Sequence, residues 1–347
     1  MRIGDAVTTY RADEAIFRTQ TQKIWMGILV FLLVLFPFIS SPYLLFLGCM
    51  VGIAVISATG LNILVGLTGQ ISLGHGGFMG VGAYTAVWLA DNLGMPLFFT
   101  VPFAGLATAA VGMVVGLPSL RVKGLYLAIA TMAASVILHF VFVHWESVTG
   151  GNAGFNLKNT RVFGIDLNSD FRMYFVIIPV AVLAVFGERN LLRTRIGRAF
   201  IAIRDRDISA EVLGVHLLKY KLMSFGLSSF YAGAAGALWA YFYKVVTPES
   251  FPLDTSIFYL AAIIVGGMGT VLGPILGAAF MALVPEVLKL MTNLVEPVLP
   301  NAQVLLSPVK GIVFGMLIVL FLLFEPHGLC EIWHRIQRFF RLWPFKT

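Results

Sequence analysis

Between Gly60 and Leu89 the chain reads GLNILVGLTGQISLGHGGFMGVGAYTAVWL, without an Asp, Glu, Lys or Arg. Its centre, Thr68 to His75, is polar where its flanks are not. Ser72 and His75 are residue types that a hydrolase uses as nucleophile and base. Their setting, Gln70-Ile71-Ser72-Leu73-Gly74, matches neither G-x-S-x-G nor an obvious oxyanion turn. Close neighbours on one helix also aim poorly at each other, so an intramembrane Ser/His hydrolase is the weakest reading. The other chemistry open to Thr68, Gln70, Ser72 and His75 is to offer hydrogen bonds to a passing solute, or to hydrate its path. No Gly-Lys dipeptide occurs, so the chain has no P-loop of the G-x-x-x-x-G-K-[ST] type. Glu286 is the carboxylate expected near mid-span. Proton- and sodium-coupled carriers usually place carboxylates or unwound carbonyls there, so energy for transport is expected to enter from outside the membrane. Cys49 and Cys330 have no metal-ligand spacing, and His139 and His144 read as a packed and an interfacial histidine. No metal and no cofactor is expected in this chain.

The elements that must carry these residues are membrane helices. The 347 residues are 59% hydrophobic and 12% charged, against about 25% charged in soluble domains. The apolar runs far exceed the roughly 10 residues of a membrane β-strand. The expected fold is all-α: a polytopic helical membrane protein with about eight to ten membrane segments. Its parts are an N-terminal segment (1–23), a transmembrane region (24–324) holding a charged loop (188–221), and an amphipathic tail (325–347). Apolar runs predict helices at 24–39, 43–65, 76–90, 97–117, 125–145, 173–187, 222–243 and 308–324.

Two stretches interrupt helices with glycine. The first holds Gly66, Gly69, Gly74, Gly76 and Gly77; the second, inside 255–290, holds Gly266, Gly267 and Gly269. Irregular backbone at membrane depth survives only when buried in protein or lining a wet cavity. Broken helices are a recurrent way to build a transport path, and glycines also serve plain close packing. Val65-Gly-Leu-Thr-Gly69 and Val265-Gly-Gly-Met-Gly269 resemble each other, as two halves of a repeat or as two independent turns. If the first break matters to transport, Gly74→Val should do more harm than Gly112→Val in the fourth span.

Lys and Arg set the orientation. The net charge of +7 reflects membrane topology rather than nucleic acid. The 188–221 loop holds 8 of the 24 basic residues, so it is expected to be cytoplasmic, together with both termini. The tail reaches that side only if 255–290 splits at Gly266–Gly269 into two passes or a re-entrant pair. Within the loop, Ile201, Ile203, Ile208, Val212 and Leu213 are too apolar for a merely solvated connector. Two short helices separated by Arg204–Asp207 fit, the second stopped at Gly214. Beyond Leu329, apolar residues at helical spacing alternate with Arg335, Arg338 and Arg341, as in a helix lying on the membrane lipid.

LTGQISLGHGGFMGVGAY (67–84), RVKGLYLAIATMA (121–133), TGGNAGF (149–155), RTRIGRAFIAIRDRDISAEVLGV (193–215) and IIVGGMGTVLGPILGA (263–278) together resemble the transmembrane permease subunit of bacterial branched-chain amino-acid ABC importers. The GQISLGH string among them is similar to the LivM-type subunit rather than the LivH-type. The resemblance implies a transport subunit of the bacterial inner membrane that is not itself an enzyme. Its implied partners are a LivH-type permease, two cytoplasmic subunits that hydrolyse ATP with Mg²⁺, and a periplasmic substrate-binding protein. Arg198, Arg204, Ile208, Glu211, Val212, Leu213 and Gly214 would then couple to the ATPase, and the two glycine breaks would shape the pathway. The family also imports urea, short amides and aromatic acids. A self-sufficient secondary carrier or channel is the alternative of another class.

Overall fold

The computed structural model describes residues 20–157, 161–162, 165–166, 169–295, 306–325 and 328–342. It is a polytopic helical membrane protein, and the described helices are α1 (Gln20–Ile39), α2 (Pro42–Leu61), α3 (His75–Leu93), α4 (Leu97–Gly116), α5 (Leu125–His144), α6 (Asp170–Arg193), α7 (Arg195–Val212), α8 (Leu217–Tyr243), α9 (Leu253–Gly266), α10 (Leu272–Val295), α11 (Leu306–Phe324) and α12 (Gly328–Leu342). Four two-residue strands make two small antiparallel pairs: β1 (Phe155–Asn156) with β4 (Val245–Val246), and β2 (Arg161–Val162) with β3 (Ile165–Asp166). Residues up to Phe46 form a unit of their own, in which α1 exposes Trp25, Phe31 and Phe38. The expected segment 1–23 lies largely outside the described residues, and so does the tail beyond Leu342.

In the unit from Leu47 onward, large apolar side chains are exposed on the outer faces as well as packed inside, and small or hydroxyl residues line many helix contacts. On α4 the outward residues include Phe98, Phe103 and Leu106, while Val101, Ala104, Gly105, Thr108, Gly112 and Gly116 are buried at helical spacing. Hydrocarbon is as apolar as leucine, so helix association in it depends on close packing through small residues. The central α8 shows this on several sides. Its Gly233 meets the backbone at Gly82 of α3, its Gly236 lies against the Met79 carbonyl, and its Ser229 fills the space beside Gly112 of α4. Thr100 of α4 and Tyr241 of α8 share a hydrogen bond of 3.0 Å. Gly112 is therefore no neutral position, because a Cβ there would run into Ser229.

The sixth span is longer than its apolar core: α6 runs to Arg193, and α8 already includes Lys221. The flanking helices thus take both ends of the 188–221 segment. The long 255–290 stretch divides as its charge balance required, into the tightly packed pair α9 and α10. A Cβ on Gly277 would strike the Ala262 carbonyl, and one on Gly266 the Gly273 carbonyl.

The first break is a change of backbone state in three steps. After α2 a π-turn covers Asn62–Gly66, a distortion that often marks functional sites. Gly69 then turns the chain with φ +70°, and residues 70–74 run without helix until α3 begins at His75. Gly74 packs closely on α5, since a Cβ there would lie 2.9 Å from the Thr131 carbonyl. The comparison that isolates the break is Gly315 on α11, where a Cβ meets nothing within 4 Å. Gly74→Val should lower thermal stability by about 1–3 kcal/mol through overpacking and depress uptake, while Gly315→Val should do neither. Equal melting temperatures and equal uptake for the two variants would reduce the break to ordinary packing.

Candidate functional site

In the first break, the backbone donors that leave the helical pattern find partners. The Gly69 and Gln70 amides reach back to the Val65 and Leu64 carbonyls, each at 3.1 Å. Leu73 N donates to Thr131 Oγ1 of α5 at 2.9 Å, Gly74 N to Ser72 Oγ at 3.3 Å, and Gly76 N to Ser256 Oγ of α9 at 2.8 Å. Hydroxyls on two other helices and one within the break thus replace the carbonyls that a helix would have supplied.

Thr68, Gln70, Ser72 and His75 are all buried. Gln70 Nε2 donates to Ser224 Oγ of α8 at 2.7 Å and to Thr68 Oγ1 at 2.9 Å, and Thr68 donates to the Leu64 carbonyl. His75 Nε2 lies 2.9 Å from Ser57 Oγ of α2, and its ring stands edge-on to Tyr259, 5.6 Å between centroids. Ser72 and His75 thus hold separate partners and form no nucleophile–base pair. Three of these side chains tie the break to neighbouring helices.

The second break turns at Gly267 (φ +114°) and Gly269 (φ +77°). Thr270 Oγ1 donates to the Gly267 carbonyl at 2.8 Å and accepts from Gly273 N at 3.0 Å, starting α10. The first residue of α12, Gly328, sits against Val265, Gly266 and Gly267, and Leu329 joins the apolar cluster of Ala261, Ala262, Val265 and Met281. Farther along α12, Trp333, Ile336 and Phe339 are exposed, and Arg335 makes a two-pronged ion pair with Glu325.

The two breaks meet at Asn62 of the π-turn. Its Oδ1 accepts from Gly269 N at 2.8 Å, and its Nδ2 donates to the Thr270 carbonyl at 3.1 Å and to Glu188 Oε1 of α6 at 2.6 Å. Gly66 packs so closely on Gly269 that a Cβ would lie 2.5 Å from its nitrogen. Arg204 of α7 completes the cluster, donating from Nη1 to the Gly66 carbonyl at 3.0 Å. Asn62 and Glu188 are fully buried, and the sequence reading passed over both. The available signal was an amide-bearing residue inside an otherwise apolar run, four residues before the first break glycine.

α7 bends at Arg206, whose φ of −158° and ψ of 101° are not helical, so it is two helices with a joint in the expected Arg204–Asp207 region. Before the joint, Phe200 and Ile203 are buried, Phe200 packing with Ile63 and Leu67 of the first break. Ile203 is therefore unavailable to an outside partner, contrary to the expectation, and Ile201 is half-buried. After the joint, Ile208 is 71% exposed and Val212 and Leu213 are each 83% exposed. Glu211 is exposed beside them, as is Arg198 before the joint. The helix ends as expected, with Gly214 at φ +87° and Val215 N closing onto the Ala210 carbonyl.

A cavity of about 220 Å³ lies between the joint and the first break, lined by Thr68, Gly69, Gln70, Lys123, Asp207 and Lys221 among others. Asp207 pairs with Lys123 at 2.5 Å and with the buried Lys221 at 3.6 Å. The Lys123 hydrogen bond, with the two ammonium charges, holds its carboxyl below the usual carboxylate range. The contribution of this pairing is present above the ordinary Asp value and lost as pH falls through the depressed one.

A family profile described as "Branched-chain amino acid transport system / permease component" matches residues 43–322. The high-affinity branched-chain amino acid transport system permease protein LivM of Salmonella typhimurium is 35% identical over 295 residues, covering 78% of this chain and 69% of that one. LivM of Escherichia coli is 33% identical over the same span and shares. A probable branched-chain amino acid transport permease protein LivH of Methanocaldococcus jannaschii is 26% identical over 298 residues, 82% of this chain and 90% of that one. No solved structure matches. Replacing Asn62 by Leu would strand the Gly269 amide and the Glu188 carboxyl, each orphan costing about 1–3 kcal/mol. Asn62→Leu should lower unfolding stability in detergent by at least about 2 kcal/mol, whereas Asn92→Leu, at an exposed helix end, should not. Matching thermal midpoints for the two would show that Asn62 does not hold the breaks together.

Proposed function

The chain belongs to the family of permease components of branched-chain amino acid transport systems, and from this premise we propose that it is the LivM-type half of an ATP-driven importer. It pairs with a LivH-type permease in the bacterial inner membrane and receives a branched-chain amino acid from a periplasmic binding protein. It moves when two cytoplasmic ATPase subunits bind and hydrolyse ATP with Mg²⁺. The chain supplies the path and the coupling surface and does no hydrolysis itself. The presence of both LivM and LivH among the relatives supports the pairing. The basic residues between Arg189 and Lys221 support a cytoplasmic α7.

The carrying observation is that the two halves of α7, joined at Arg206, face different ways. Its outer half presents Ile208, Val212 and Leu213, with Glu211 beside them and Gly214 ending the helix; its inner half ends in Arg204 on the Gly66 carbonyl. A buried apolar anchor with a polar rim is the usual anatomy of a protein interface. An ATPase reorients the permease only through contacts that differ between its own states. Displacing the outer half of α7 pulls on Arg204, and through Gly66, Gly69 and Gly269 on both breaks. In this reading Gly66, Gly69, Gly74, Gly266, Gly267 and Gly269 let the pathway segments bend. Thr68, Gln70, Ser72 and His75 hold the first break in register. Arg198 orients the inner half from the outside.

Leu213→Asp places an unpaired charge in the interface, which is costly when buried, yet lies outside the membrane segments. The variant should insert normally, fail to retain the ATPase on pull-down, and lose about tenfold or more of its uptake, as for an interface hot spot. Normal ATPase retention with normal uptake would leave α7 a simple connector. Orientation has its own measurement: cysteines placed at Thr194 and Lys346 should react with an impermeant reagent only from the cytoplasmic side, and labelling from opposite sides would overturn the topology.

A further inference from the structure

A second cavity, of about 140 Å³, lies among α2, α8, α9 and α10, between Met50, Ile53, Trp239, Tyr243, Tyr259 and Glu286. Nothing so far gives it a role. Its walls are apolar and aromatic, and Glu286 brings a carboxylate to them while only 8% exposed. Lys289, one turn further along α10, donates to Glu286 Oε1 at 2.8 Å, and its side chain is about half exposed. An ionisable residue inside a membrane segment carries a cost that function usually explains.

The cavity's position relates it to the pathway. Tyr243 lines it, and Lys221 lines the 220 Å³ cavity; both lie on α8. Twenty-two residues of helix between them span about 33 Å, close to the roughly 30 Å hydrocarbon core. The two cavities thus stand toward opposite ends of the same membrane crossing. Tyr259, on the wall of the second, backs onto His75, where α3 starts after the first break. Tyr259 therefore stands between the cavity and the end of that break.

We propose that this cavity is a subsite for a small aliphatic α-amino acid. The ammonium is taken by Glu286, the carboxylate by Lys289 and the side chain by the Met50–Ile53 wall. The inference rests on reading the chain as an amino-acid importer and adds the residues that hold the substrate. Charge balance supports it. A lone ion entering this site would add a net charge, which is expensive in low dielectric. A zwitterion inserted into the Glu286–Lys289 pair gives each charge a partner and leaves the net charge unchanged. Size agrees too: apolar cavities of about 150 Å³ accept a benzene-sized group, which is the scale of an isobutyl side chain and too small for a large aromatic one.

The test uses the full chain co-purified with its partner permease in lipid nanodiscs, without binding protein. It is titrated calorimetrically with leucine, 3-methylbutylamine and 4-methylpentanoate. Leucine should bind saturably and more tightly than either analogue, each of which lacks one charge. Glu286→Gln should weaken leucine by at least about tenfold, the usual worth of a hydrogen bond to a charged group. Ala54 also lines the cavity; Ala54→Leu fills it without touching a charge and should weaken leucine more than alanine, and it decides the matter if Glu286→Gln does not fold. Absence of saturable leucine binding to folded wild-type protein, or unchanged affinity in the folded variants, overturns the subsite. Leucine uptake by the complete importer in proteoliposomes separates the two failures. Uptake without this binding sinks only the subsite, and no leucine uptake sinks the transport reading itself.

Discussion

Everything in this molecule answers to the requirement that peptide groups in hydrocarbon be hydrogen-bonded. A helix meets it locally. Residues 69–74 do not form a helix, so other chains of atoms must meet it for them. That need places Thr131 on α5 and Ser256 on α9, each with its hydroxyl on an amide of the first break or of the helix start that follows it. An unmet amide costs several kcal/mol at membrane depth. The break is thus a part of the fold that two other helices help to satisfy, and its shape is only as stable as those helices' positions.

The second constraint is closeness. Hydroxyls reach a neighbouring backbone only when the helices nearly touch, and glycine at Gly74, Gly82, Gly233, Gly236, Gly266 and Gly277 permits that approach. Charge then enters where packing leaves room. Arg204 lies beside Gly66 and Gly269, and Asp207 binds Lys123 and Lys221 next to the first break. Charged side chains are concentrated on the α7 side of the breaks, with the Glu286–Lys289 pair on α10 as the counterpart elsewhere.

Much of this was legible in the sequence because it depended on local chemistry. Glycine density located both breaks, and the charge balance of the loops required that 255–290 divide. The Arg-Asp-Arg-Asp run and Gly214 marked the joint and the stop of α7. What was not legible depended on distance in three dimensions. Asn62 looked like one polar residue in a long apolar helix, and its π-turn has no signature of its own. Glu188 looked like the first residue of a charged loop, because sequence cannot show that α6 continues past its apolar core into protein. Ile203 and Ile208 looked equivalent as apolar residues of two short helices, one on each side of Arg204–Asp207. The joint at Arg206 sends one inward and the other outward. The site residues read from the break were mostly the ones that hold it, while the residue that joins it to its counterpart lay outside the motif.

Asn62 gives the pair of breaks a logical property. One carboxamide serves both: its oxygen accepts a hydrogen bond from the second break, and its nitrogen donates to the second break and to α6. If one break rearranged while the other stayed, the carboxamide would follow one side and leave donors and acceptors on the other without partners. Half-rearranged states are thereby penalised relative to both ends, and packed elements of this kind tend to be bistable rather than graded. Asn62 thus ties the two breaks into a single conjunction. In the pathway proposed above, such a tie would leave no cheap state open at both ends, which is what keeps a pump from becoming a leak.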